Sequence, residues 1–123
     1  MSIAEQDATK YGISPVYFVR QINQESGFNP YAVSPVGAVG IAQFLPSTAA
    51  GLGVNPYDPI SALDGAARMM AGLSNQYGGN YAKALAAYNA GSGAVDNAVA
   101  EGGANWLSFL PAETQNYVTS IMG

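Results

Sequence analysis

The sequence predicts a single, mostly α-helical domain over residues 1–123. Three features predict it. Capping residues and Gly or Pro stops recur at helix-length intervals. β-branched residues are sparse and never alternate for long, so strand signals are thin. The length suits one compact domain and is too short for two.

The elements follow in order. Ser2-Ile3-Ala4-Glu5 is a capping box, and Gly12 stops a first helix near Tyr11. Ser14 is the N-cap of a second helix, with Pro15 at its first position. That helix runs to about Ser26, where Gly27 ends it. Pro30 and Pro35 keep the next dozen residues irregular, so a long loop spans about 27–45. Pro46 opens a short helix to about Leu52, and "GVNPYDP" is a turn-rich connector. Asp58-Pro59 begins a longer helix to about Tyr77, closed by Gly78-Gly79. Asn80 caps a helix to about Ala90, and another starts near Ser92. "EGGAN" reads as a loop, and Pro111 starts a last helix to about Ile121. There is no internal repeat and no low-complexity tail. Function is expected in the long loop, because loops held by a rigid scaffold carry sites.

Composition removes several function classes. Nearly half the chain (49%) is hydrophobic and 10% is charged, which is a globular balance. The net charge is −4, and Lys10, Arg20, Arg68 and Lys83 are scattered singly. Binding to nucleic acid or to an anionic membrane needs a basic patch that is not there. With no Cys and no His, thiol and Ser-His-Asp chemistry and the usual zinc sites are excluded. No metal or other cofactor is expected. No apolar run approaches the ~20 residues that span a bilayer, so membrane insertion is not expected. The N-terminus "MSIAEQDATK" lacks the pattern of a signal peptide.

The chemistry centres on Glu25, one of eight acids. On a helix it shares a face with Gln21, Ile22 and Phe18. Two readings stand. It is either a solvated glutamate at a helix end, or a carboxyl on an apolar face. Lost hydration raises a carboxyl's pKa, which suits a general acid near neutral pH. Glycosidases usually need two carboxylates, and no other acid has a comparable setting. Asp58 reads as an N-cap and Asp64 as a dipole partner in the first turns of the same helix. Asp96 and Glu101 look solvent-facing, and Glu113 sits in the first turn of the last helix. Gln43 in "GIAQFLP" and Tyr88-Asn89 in "LAAYNAG" are polar residues in apolar company. They fit core hydrogen bonders or groove-lining residues equally. Phe28, Tyr31, Phe44, Trp106 and Tyr117 offer faces for sugar rings, or simply fill a core.

Four ordered blocks give these residues a context: "ESGFNPYAVSPVGAVG", "GIAQFLPSTA", "ALAAYNAGSGAV" and "PAETQNYV". Together they resemble the SLT-type lytic transglycosylases, a catalytic-domain family of the goose-lysozyme-like superfamily that cuts peptidoglycan. The resemblance spans about Ile13 to Val118. It implies a lysozyme-like helical domain with a substrate cleft, acting on a peptidoglycan glycan strand. It implies that Glu25 is the catalytic acid and base. Ser34 matches a loop serine that holds the glutamate and the sugar. Gln43 matches the cleft glutamine of a "GLMQ" block, and Leu45 stands where many members have a cleft methionine. Tyr88 and Asn89 match an "AYNAG" pair, with the tyrosine close to the glutamate. Glu113 and Tyr117 match an "ETRxY" block that closes the cleft. The chain departs from the pattern at "GIAQ", at Leu45 and at Gln115, which replaces an arginine.

A single glutamate suffices if the substrate's own acetamido group replaces the second carboxylate. The implied product is a 1,6-anhydromuramoyl end. A goose-type lysozyme using water, and a non-catalytic peptidoglycan-binding module, remain as alternatives. The expected place of action is the periplasm or cell wall. The chain reads as delivered by a phage virion, as part of a secretion or conjugation machine, or as a domain cut from a longer protein.

Overall fold

The computed structural model describes residues 1–123. It is mostly helical, as the sequence predicts. The helices are α1 (Ile3–Tyr11), α2 (Pro15–Ser26), α3 (Pro46–Leu52), α4 (Pro59–Gln76), α5 (Tyr81–Ala90), α6 (Ser92–Gly102) and α7 (Ala112–Met122). A 3-10 helix, Gly103–Phe109, separates α6 from α7. None is long and apolar enough to cross a membrane.

The helix ends form for the reasons their residues suggest. The Ser2 hydroxyl accepts the Glu5 N–H, while the Glu5 carboxylate accepts the Ser2 N–H at 2.9 Å. The Ser2 N–H also holds the Glu5 carboxyl below its ordinary value, and the Ser2 hydroxyl adds to this. Ser14 caps α2 by accepting the Tyr17 N–H, and Asn80 caps α5 by accepting the Lys83 N–H. Asp58 accepts the Ile60 N–H at 3.0 Å, the capping role expected of it.

The chain divides into two compact units, Met1–Met69 and Met70–Gly123, with the boundary inside α4. In the first, α1 packs on α2 and buries Ala4 and Ala8, while α2 buries Phe18 and Ile22. Asp64 is more than a dipole partner. Its carboxylate takes the Lys10 ammonium at 2.9 Å and the Tyr11 hydroxyl at 3.0 Å, tying α1 to α4. The hydrogen bond from Lys10 holds the Asp64 carboxyl below its ordinary value, and the same bond raises Lys10. Asp7 is pushed the other way, by burial first and then by the Asp64 charge.

In the second unit, α5 packs on α6 and α7, and α6 packs on the 3-10 helix. The core is made of small residues and a few large ones, including Ala84, Leu85, Ala86, Val95 and Ile121. The Lys83 ammonium lies 5.9 Å from the centre of the buried Trp106 ring. Asp96, expected to face solvent, is exposed but accepts the Tyr77 hydroxyl at 3.0 Å. The "EGGAN" stretch is not a loop. Glu101 and Gly102 finish α6, and the chain passes directly into the 3-10 helix. Gly103 ends α6 with a positive φ, 53°, and Gly102 has a different role. A Cβ on Gly102 would come within 2.5 Å of the Phe109 ring, so the bare glycine is where that ring lies against the helix. The glycine pair suggests a loop in the sequence, but Gly102 serves close packing.

Candidate active site

Glu25 sits in the last turn of α2 and is half-buried. Its helical neighbours on the same face, Phe18, Gln21 and Ile22, are all fully buried. Two of these neighbours, Phe18 and Ile22, are apolar, and the third, Gln21, is a polar amide. Gly27 ends the helix in the left-handed conformation, at φ 62°.

The next residue, Phe28, is also left-handed, at φ 63°. Without a glycine's freedom, such a residue is held in place by its surroundings. Phe28 is partly exposed and lines a groove of about 540 Å³ with Pro15, Val16, Val19 and Arg20. Tyr31 is exposed, whereas Phe44, Trp106 and Tyr117 are buried. The candidate sugar platforms thus divide between surface and core.

The 27–45 loop is ordered by its own hydrogen bonds. Val39 pairs with both Val33 and Phe44 in isolated antiparallel bridges. The Ser34 hydroxyl accepts the Ala38 N–H at 3.0 Å, and the Ser34 N–H donates to the Ala38 carbonyl at 2.9 Å. Ser34 therefore closes a tight turn. The Ser26 hydroxyl donates to the Ile41 carbonyl at 2.6 Å, which stitches the residue after Glu25 to the far side of the loop. In the sequence, only its place beside the candidate acid hints at this role for Ser26.

Gln43 is left-handed as well, at φ 54°. Its amide nitrogen donates to the carbonyls of Ala32 at 3.1 Å and Gly40 at 2.9 Å. Both N–H donors are thereby engaged within the loop, so a sugar contact from Gln43 falls to its amide oxygen. Leu45 follows with 44% exposure, open to solvent at the N-cap of α3. Gly40 fixes the loop against the connector after α3. A Cβ there would lie 1.9 Å from the Pro56 carbonyl oxygen.

The remaining candidates lie in the second unit. Tyr88 and Asn89 are half-buried near the end of α5. The Asn89 side-chain amide oxygen (Oδ1) accepts the hydroxyl of the buried Thr114 at 2.8 Å, tying α5 to α7. Glu113 is exposed in the first turn of α7, and Tyr117 is buried at 5% exposure. Gln115 donates to the Leu110 carbonyl at 2.8 Å, a turn-closing role for the residue that replaces the arginine.

One polar residue on the face of Glu25 stands out. Gln21, one turn earlier on α2, has no exposed surface. Neither its amide nitrogen nor its amide oxygen has a hydrogen-bond partner in the protein. A buried amide left in this way costs about 1–3 kcal/mol.

A mostly helical fold with a half-buried glutamate at a helix end, followed by an ordered Gly/Pro loop, fits a lysozyme-like helical class. The sequence profile of the Transglycosylase SLT domain matches residues 2–106, and the chain belongs to that family. It is 32% identical over 111 residues to membrane-bound lytic murein transglycosylase D of Escherichia coli K12, covering 80% of this chain and 25% of that protein. It is 33% identical over 116 residues to a transglycosylase of Enterobacteria phage PRD1, covering 94% of this chain and 38% of that protein. The 70 kDa soluble lytic transglycosylase Slt70 of Escherichia coli superposes with a TM-score of 0.87 at 26% identity, over 98% of this chain and 22% of that one. The Pseudomonas aeruginosa lytic transglycosylase Slt gives 0.83 at 25% identity, over 97% of this chain and 22% of that one. That structure is of a glutamate-to-glutamine mutant described as inactive. The chain thus spans between 22% and 38% of the length of these relatives.

Proposed function

We propose that this chain is a single catalytic domain that cleaves the β-1,4 bond between N-acetylmuramic acid and N-acetylglucosamine in peptidoglycan, leaving a 1,6-anhydromuramoyl end. The observation that carries the reading is Glu25: half-buried at the end of α2, on a face whose other members are fully buried. Family membership and the lytic murein transglycosylases among its relatives support the substrate class.

In this mechanism Glu25 begins protonated and gives its proton to the leaving glycosidic oxygen. The acetamido oxygen of the muramoyl residue closes on the anomeric carbon as the glycosidic bond breaks. Glu25, now a carboxylate, takes the proton from the same sugar's 6-hydroxyl. That oxygen bonds to the anomeric carbon and the acetamido oxygen leaves. Glu25 ends protonated, and no water is consumed. Ser34, the Gln43 amide oxygen and Leu45 serve the sugar from the loop. Roles for Tyr88, Asn89, Glu113 and Tyr117 rest on the resemblance of their blocks to the family pattern. The setting is the cell wall, and the likeness to the PRD1 transglycosylase favours delivery by a virion.

The test is digestion of purified peptidoglycan followed by mass spectrometry of the soluble products, with Glu25→Gln alongside. Muropeptides about one water lighter than hydrolysis products are expected from the parent protein. Glu25→Gln is expected to lose at least about a hundredfold in rate, the lower range for removing an acid–base group. Ordinary reducing ends would make the protein a lysozyme. A fully active Glu25→Gln would remove Glu25 from the chemistry.

A further inference from the structure

We propose that Gln21 is a positioning residue for Glu25, acting through an internal water that its carboxamide holds beneath the glutamate's carboxyl group. This rests on Glu25 being the catalytic acid.

Three observations converge. Gln21 is entirely buried, in a stretch where Phe18 and Ile22 are buried apolar residues. Neither end of its carboxamide is satisfied by the protein. It lies four residues before Glu25 on α2, and such pairs share a helix face with Cβ atoms about 5–6 Å apart. Side chains at this spacing can meet directly, yet neither end of the Gln21 carboxamide bonds to the Glu25 carboxyl or to any other group of the protein, which leaves a bridging water as the link. An internal water needs two to four polar partners. Gln21 supplies a donor and an acceptor, and the Glu25 carboxyl supplies a third group.

A leucine or methionine would fill this position without leaving unsatisfied atoms. An amide at such a place lowers stability unless it does something, and unsatisfied buried groups gather at functional sites. A carboxyl that must act first as acid and then as base benefits from a neighbour that can either donate or accept. A carboxamide–water pair does both, because the water reorients as the carboxyl changes state.

Gln21→Met, which conserves volume, separates this role from packing. It is measured beside Gln21→Leu and Glu25→Gln by thermal unfolding and by initial rates on solubilised glycan strands at varied concentration. The expected result is a kcat about ten- to a hundredfold lower, the range for misplacing a catalytic group. KM should change little, and Tm should be unchanged or higher. Two results would overturn the proposal while Glu25→Gln is inactive: a kcat within twofold of the parent for both Gln21 variants, or a Tm that falls in step with activity. The second would make the amide structural. Full activity of Glu25→Gln would instead sink the proposed mechanism itself, so the two failures are distinguishable.

Discussion

At Gly40, one added methyl group meets the Pro56 carbonyl at a distance no Cβ tolerates, in a backbone already at φ 81°. Left-handed strain alone costs about 1–3 kcal/mol for a residue other than glycine, before the clash is added. Gly40→Ala is therefore expected to lower stability by at least that amount and to disorder the loop, as thermal unfolding would show. Thr114 makes a second single-residue case. Thr114→Val keeps the shape but leaves the Asn89 amide oxygen without its 2.8 Å partner. Chemical denaturation should register a loss of about 1 kcal/mol, the usual net worth of one part-buried hydrogen bond. Should Thr114→Val prove neutral, the α5–α7 bond would be decorative.

Between elements, the ion pair of α1 with α4 has a pH signature. Asp64 is held below its ordinary value of 3.8, chiefly by the hydrogen bond from Lys10. A depressed carboxyl stabilises the folded state above its unfolded pKa, and that contribution disappears as pH falls through the folded value. Asp64→Asn is expected to lower Tm modestly at pH 7, because the pair is solvent-exposed. The gap between variant and parent should close once the pH drops below the depressed value. A gap that persists at such acidity would assign the effect to packing. The 27–45 loop is the other element with a device of its own. Gln43→Ala removes both amide donors while keeping a left-handed backbone. Its expected effect is a lower Tm together with slower wall lysis, since the same residue braces the loop and faces the proposed substrate.

For the molecule as a whole, the question is how many carboxylates its chemistry needs. Asp58 is occupied with capping α4 and Asp64 with Lys10 and Tyr11. Asp58→Asn and Asp64→Asn are expected to keep most lytic activity against purified walls. A large loss from either, in a protein still folded by circular dichroism, would restore a two-carboxylate mechanism. The net charge of −4 gives no long-range pull toward an anionic polymer.

What the sequence by itself determined was local. Caps, prolines and terminal glycines act within a turn, so α1, α2, α4 and α5 end where Ser2, Ser14, Asp58, Asn80, Gly12 and Gly27 say they should. The ordered blocks around Glu25, Gln43, Tyr88 and Glu113 likewise marked the family. Tertiary structure decided whatever depends on a partner distant in sequence. It converted Asp64 from a dipole residue into a tie to Lys10 and gave Asn89 to Thr114. It kept Gly102 helical under the Phe109 ring, and it sealed Gln21 beneath the surface with its amide unmatched. Propensity is a property of neighbours along the chain. Burial and hydrogen-bond satisfaction are properties of neighbours in space, and only the folded chain supplies those.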